Sequence, residues 1–192
     1  FEKMQLELSA ASIDSETKQM LIKRIEEVQN KSINILITGA TGAGKSSTIN
    51  ALFGKKVAVV GEGVEPETAE IQKFVLGNVV LWDSPGLGDS PQKDRIFSKN
   101  IVDMLQRKDE TGAALIDVVL VVVDSSARDM GTTYEMINNV LIPNMPDTGR
   151  ILIALNQCDI ALKGKYWDCA TNTPKEPLQK FLQEKIDSVQ KR

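Results

Sequence analysis

Apolar positions along the chain alternate between two spacings, and the boundaries between them mark out the elements. Asp14 to Asn30 sets Met20, Leu21, Ile25 and Val28 on one face, which predicts an amphipathic helix packing on the rest of the domain, with Asp14 or Ser15 capping its first turn. The short β-branched run Ile33 to Ile37 predicts a strand, closed by a glycine-rich turn, and Lys45 to Phe53 reads as a helix stopped by Gly54. Gly54 to Glu70 has no long period apart from a brief candidate strand at Val57 to Val60, and is read as a loop. Ile71 to Leu76 and Val79 to Trp82 flank Gly77-Asn78, the two-residue signal of an antiparallel hairpin.

After the polar loop Ser84 to Pro91, helical spacing returns from Gln92 to Arg107. Ile116 to Val123 predicts a strand covered on both faces. Thr132 to Ile142 reads as a helix, Ile151 to Leu155 as another buried strand, and Pro174 to Val189 as a helix with proline near its start. Strands that alternate with helices imply an α/β fold, a doubly wound and mostly parallel sheet with one antiparallel edge hairpin. Residues 1–31 are expected to form an N-terminal helical element, and residues 32–192 one domain that continues past the C-terminus.

Composition narrows the chemistry. With 192 residues, 42% of them hydrophobic, the chain can bury a core without staples. The net charge of −3 argues against direct nucleic-acid binding by this segment, since phosphate contacts need a concentrated excess of Lys and Arg. The longest apolar runs fall far short of the ~20 residues a membrane-spanning helix requires. There is no histidine, which excludes His-based catalysis and His-ligated metals, and the two cysteines, Cys158 and Cys169, do not form a metal-ligand pattern. A reducing, cytoplasmic setting is expected. The Lys55-Lys56 pair and the charges from Lys175 to Arg192 read as solvated faces.

Three short motifs fall in order at strand ends. Gly39 to Ser46 matches G-x-x-x-x-G-K-[ST] between a strand and a helix. Glycines at Gly39, Gly42 and Gly44 let the backbone N–H groups of Thr41, Ala43 and their neighbours curl around phosphate oxygens at a positive helix end, with Ser47 in the first helical turn. Lys45, expected on an exposed loop, would reach the β- and γ-phosphates, and the Ser46 hydroxyl would coordinate Mg²⁺. Read alone, the glycines make only a tight turn and Lys45 is a surface charge; the flanking strand and helix favour phosphate.

Asp83-Ser84-Pro85-Gly86 is an ordinary turn in isolation. At the end of a strand beside a phosphate loop, Asp83 can hold the magnesium water shell and the Gly86 N–H can meet the γ-phosphate. Asn156-Gln157-Cys158-Asp159 ends a later strand, where ligands of open α/β sheets bind. A carboxylate at Asp159 can accept from N1–H and the 2-amino group of guanine, a pair adenine lacks.

On these motifs the segment from about Ser32 to Leu162 resembles the P-loop GTPases of the translation-factor class, and within them the Era-like branch. The resemblance implies a switch that binds GTP or GDP with Mg²⁺ and slowly hydrolyses GTP. Its first switch loop would span about Gly61 to Glu70, with Thr68 as the magnesium-binding threonine, and its second would begin at Gly86. Lys45, Thr68 and Gly86 would then form the hydrolytic site.

Three positions depart from the family pattern. Gln157 stands where the base motif usually has Lys. Leu87 stands where signalling GTPases have a water-positioning Gln, so acceleration is expected from a protein effector or from self-association through the switch loops. Gly42 replaces an Asn that helps some Era-like members bind potassium. The Ser-Ala motif that backs the base is not found after Pro174 and is expected beyond Arg192. Two rival readings exist: a P-loop kinase or ATPase, which would lack Asn156 and Asp159 and carry an Arg-rich lid, whereas the arginines of that stretch, Arg95, Arg128 and Arg150 among them, form no cluster, and a nucleotide-binding interaction module without hydrolysis, favoured by Leu87 and Gln157.

Overall fold

The computed structural model of the chain describes residues 14–58 and 70–191. Helix α1 (Ser15–Asn30) begins where the Asp14 carboxylate accepts from the Thr17 N–H at 2.8 Å, the expected cap. Strand β1 (Ile33–Thr38) leads through the glycine loop into α2 (Lys45–Phe53), and the hairpin β2 (Gln72–Leu76) and β3 (Val79–Asp83) turns at Gly77-Asn78. Next come α3 (Pro91–Leu105), β4 (Val118–Asp124), α4 (Gly131–Met136), a π-helical turn (Ile137–Leu141) and the short α5 (Ile142–Asn144). Strand β5 (Ile151–Asn156), the two-residue strands β6 (Trp167–Asp168) and β7 (Thr173–Pro174), and α6 (Glu176–Gln190) complete the order.

The sheet runs β2-β3-β1-β4-β5, with β2 antiparallel to β3 and every other pair parallel. This is the expected architecture. Because side chains alternate across a strand, the fully buried neighbours Leu36 and Ile37 face opposite sides. Leu36, Val121 and Val123 enter a core with Ile101, Met104, Met136 and Leu141, while Ile37 and Val122 join Ile49 and Leu81 under α2. Burying both faces of the central strands drives the α/β layering.

Several expectations are corrected. The apolar stripe of α1 is not covered as a whole: Ile25 is buried, but Met20 is 64% exposed. Strand β5 is an edge strand rather than a buried one, with Leu152 half exposed; apolar composition alone does not separate an edge from a centre. Ile116 precedes β4, which begins at Val118; Asp117 between them donates its N–H to Asn34 O and accepts from the Asn34 N–H through its carboxylate, both at 2.9 Å. The helix expected over Thr132 to Ile142 passes into a π turn just before Pro143, which has no N–H to continue the ladder; Asn144 reaches back to the Val140 carbonyl at 2.8 Å. Pro174 lies in β7, and the proline in the first turn of α6 is Pro177. Of the brief strand at Val57 to Val60, Val57 and Ala58 are not in a strand, their N–H groups being held by the Asn50 side chain at 2.7 Å, and the remaining two residues lie outside the described residues. Among the described residues no helix is long and apolar enough to cross a membrane.

Candidate functional site

The carboxyl ends of β1, β3, β4 and β5 converge on one edge, where parallel strands leave the loops that bind ligands. The loop from Gly39 to Gly44 is shaped by positions that only glycine fits. A Cβ on Gly39 would lie 2.2 Å from the Val122 carbonyl oxygen, and one on Gly44, whose φ is +95°, would lie 2.2 Å from the Asn156 amide nitrogen. The first bond of α2 runs from the Thr48 N–H to the Gly44 carbonyl at 2.8 Å, so helix geometry leaves the N–H groups of Lys45, Ser46 and Ser47 at the open end of the dipole. Thr41, Gly42 and Ser47 are exposed, whereas Ala43 is fully buried and anchors the loop in the core.

Lys45 does not sit on an exposed loop as the motif suggested. It is 7% exposed, and its ammonium donates to the carbonyls of Gly39 at 3.2 Å and Ala40 at 3.0 Å. Burial lowers its pKa to about 8, against the opposing pull of Asp83 and Asp89. Lys45 opens α2, and its stem turns inward so that the ammonium lies against the loop carbonyls.

Asp83 is 1% exposed at the end of β3 and accepts from the Ser46 hydroxyl at 2.7 Å. Burial raises its pKa, opposed by the Ser46 bond and by Lys45. Its second oxygen, Oδ1, is buried without a hydrogen-bond partner among the described residues. The Ser46 hydroxyl and the Asp83 carboxylate, one of whose two oxygens has no partner, are hard-oxygen donors, which suit Mg²⁺. Thr68 lies outside the described residues.

The segment after Asp83 is tied to the loop by its backbone. Ser84 N–H donates to Ile37 O at 3.0 Å, Thr41 N–H to Leu87 O at 2.8 Å, and Leu87 N–H to Gly39 O at 3.3 Å. A Cβ on Gly86 would lie 2.6 Å from Thr41 Cα, so this glycine is needed for the close approach. Leu87 is 5% exposed and packs in the core, which removes its side chain from any place a water could attack.

At the far side of the loop, Asn156 Nδ2 donates to Ala43 O and Gln157 Nε2 to Gly42 O, both at 2.9 Å. Gln157 adopts φ +57°, which carries the chain over the loop. Asp159 is exposed. Cys158 makes a hydrogen bond with Ser125 Oγ at 3.3 Å and donates to Leu155 O at 3.4 Å, consistent with a small residue filling the sheet side of the motif.

Two largely buried charges lie outside the motifs. Asp89, two residues past Leu87, has a side chain 15% exposed whose Oδ2 has no hydrogen-bond partner among the described residues. Lys185, expected on a solvated face, is 7% exposed and donates to Ala127 O at 2.6 Å. The signal for Lys185 was its helical spacing with Leu178 and Val189, both buried on the inner face of α6.

Fold and site together define a P-loop nucleotide-binding domain. Residues 34–157 match the family model described as 50S ribosome-binding GTPase, and the chain belongs to that family: it is a GTP-binding G domain of the GTPases. The chain is 31% identical over 154 residues to the mitochondrial GTPase Era of Danio rerio, covering 76% of this chain and 32% of that protein. It is 39% identical over 85 residues to dynamin-like protein 1 of Campylobacter jejuni, covering 42% of this chain and 11% of that one. The chain thus spans no more than about a third of these relatives. Among solved structures, a dimerization-deficient mutant of Toc33 from Arabidopsis thaliana superposes with a TM-score of 0.61 at 20% identity, over 94% of this chain and 70% of that one.

Proposed function

We propose that this G domain is a magnesium-dependent GTP/GDP switch of the Era-like branch, working in the cytoplasm, with the domain proper over residues 32–192 and residues 1–31 as an appended element. In this reading Lys45 and the loop from Gly39 to Ser47 hold the phosphates. Ser46, Asp83 and Thr68 hold Mg²⁺, which when bound neutralises charge on the phosphates. Gly86 meets the γ-phosphate, and Asn156, Gln157 and Asp159 hold guanine. The observation that carries it is the pair of 2.9 Å bonds from Asn156 and Gln157 to carbonyls of the phosphate loop, which join a guanine-type motif to a phosphate-type motif in one site. Structures of Toc33 with Mg²⁺ and either GMPPNP or GDP support the cofactor assignment.

The chain's own residues bind and orient the nucleotide, but Leu87 cannot position the attacking water. Unassisted turnover is therefore slow, about 10⁻⁴ s⁻¹. Acceleration comes from a protein effector or from a second copy meeting the switch loops. Dimerization is important for the GTPase activity of the chloroplast translocon components atToc33 and psToc159, a precedent for the second route. Calorimetric titration with GDP, a GTP analogue and ATP tests the nucleotide assignment: both guanine nucleotides bind and ATP binds about 100-fold more weakly. Equal binding of ATP would overturn it. A turnover per molecule that rises with protein concentration supports self-association, and a concentration-independent rate rules it out.

A further inference from the structure

Strands β4 and β5 run side by side to Asp124 and Asn156, which pair across the ladder at the ends of both strands. Ser125, the first residue past β4, is fully buried and meets the base motif twice. Its N–H donates to Asn156 O at 2.9 Å, and its hydroxyl lies 3.3 Å from Cys158 Sγ. The Cys158 thiol donates to Leu155 O at 3.4 Å, so with that one hydrogen spent the Ser125 hydroxyl is the donor to sulfur. A buried hydroxyl is costly unless it is bonded, and among the described residues its bonded partner is this thiol.

The two contacts bracket Gln157. This residue has φ +57°, a left-handed conformation that a non-glycine residue keeps only where the structure around it holds it. Asn156 is held before it and Cys158 after it, in each case by Ser125. The conformation sends the Gln157 amide onto Gly42 O at 2.9 Å and sets the course of the chain into Asp159, whose exposed carboxylate takes its direction from the backbone beneath it. Ser125 is itself a fixed point. Asp124 Oδ1 accepts from both the N–H and the hydroxyl of Ser126 at 2.7 Å, and Lys185 on α6 donates to Ala127 O at 2.6 Å, which pins the turn that carries Ser125.

We propose that Ser125 is a positioning residue for base choice: by clamping Asn156 and Cys158 it keeps Gln157 left-handed and so aims the Asp159 carboxylate at the guanine edge. It acts through the base motif alone, so it governs the preference among bases and leaves the phosphate end as it is. The inference rests on the guanine-binding reading of Asn156 to Asp159 and deepens it.

Calorimetric titration of the full chain with GDP, inosine diphosphate and ADP, each with Mg²⁺, tests this. Hypoxanthine keeps N1–H and lacks the 2-amino group, so the ratio of affinities for GDP and inosine diphosphate reads how well Asp159 is aimed. Ser125→Ala keeps the backbone bond and deletes the hydroxyl, and is expected to lower that ratio about 5-fold. Cys158→Ala, at a half-buried position, should lower it as far, and it carries the test if Ser125→Ala does not fold. Cys158→Ser keeps a hydrogen-bonding group and should hold the parental ratio. The double alanine variant should lose no more than either single one, because both remove the same contact. A ratio unchanged in either alanine variant overturns the inference, as does equal weakening of GDP and inosine diphosphate, the mark of a merely structural role. A ratio lost in Cys158→Ser, or additive losses in the double variant, overturns it too, since Ser125 would then act by another route. In each of these cases a parental preference for GDP over ADP keeps the guanine reading. A parent that binds ADP as tightly as GDP defeats that reading, and the inference with it.

Discussion

The two ends of the nucleotide site are built on opposite terms. At the phosphate end the charged groups are inside the protein before any ligand arrives: Lys45 and Asp83 are 7% and 1% exposed, and each is held by neighbours in the loop or on the strand. At the base end Asp159 is exposed, and the ties to the loop are two side-chain amides. A phosphate is a multiply charged group that any nucleotide carries, so its site can be preorganised in low dielectric and held ready. Recognition of a base rests on a few directed hydrogen bonds that form when the base fills the space. In the proposed function the phosphate end supplies affinity and the base end supplies choice.

Removing the buried charge should produce the largest effect. Lys45→Met keeps the stem and deletes the ammonium, and is expected to weaken GDP and GTP analogue binding by at least about 4 kcal/mol, roughly 10³-fold. The same variant leaves buried Asp83 without the opposing charge of Lys45 and the Gly39 and Ala40 carbonyls without their donor, so it should also melt lower than the parent without nucleotide. Calorimetric titration and a thermal melt read both halves. Parental affinity in Lys45→Met would break the comparison at its phosphate end.

The cost of that buried ammonium should appear as pH dependence. The folded protein releases the Lys45 proton near pH 8 while the unfolded chain keeps it to about 10.5. The unfolded state thus holds more protons between these values, and the nucleotide-free protein should gain stability on going from about pH 8 to 10.5, by at most about 3 kcal/mol. Denaturant unfolding of the parent and Lys45→Met isolates the contribution as their difference. A difference that stays flat across this window would mean that Lys45 is solvated.

At the base end the expected change is one of choice. Asp159→Asn places an amide donor against the 2-amino group of guanine and suits the 2-oxo group of xanthine, so the preference should pass from GTP to XTP by about 2 kcal/mol, some 30-fold. The fold should be untouched, since the side chain is exposed. Competition binding with GTP, XTP and ATP reads this, and an unchanged GTP preference would reduce Asp159 to a turn residue.

The smallest effect belongs to Gln157. Its amide already makes the contact to Gly42 that ties base motif to loop, so Gln157→Lys should tighten guanine nucleotide binding by no more than about 1 kcal/mol, through a longer stem and a charged donor. A gain of 100-fold or more would show that the base end of this chain is impaired by its glutamine, and would sharpen the contrast with the phosphate end.

The chain's pattern of apolar runs, glycines and motif spacing determined the order of elements, the antiparallel hairpin at Gly77-Asn78, the phosphate loop and the placement of three motifs at strand ends. These are local or periodic properties, legible because glycine, β-branched and apolar residues constrain the backbone near where they stand. Tertiary structure decided what each face would meet. Ile151 to Leu155 and Val118 to Val123 are equally apolar, yet one lies at the edge of the sheet and the other at its centre. Lys185 reads as a solvated charge and Lys45 as standing on an exposed loop, yet each is drawn inward, Lys185 by the Ala127 carbonyl far along the chain and Lys45 by the Gly39 and Ala40 carbonyls across the loop. Burial, and the shift in charge it causes, depends on all the neighbours at once and on no single stretch of sequence.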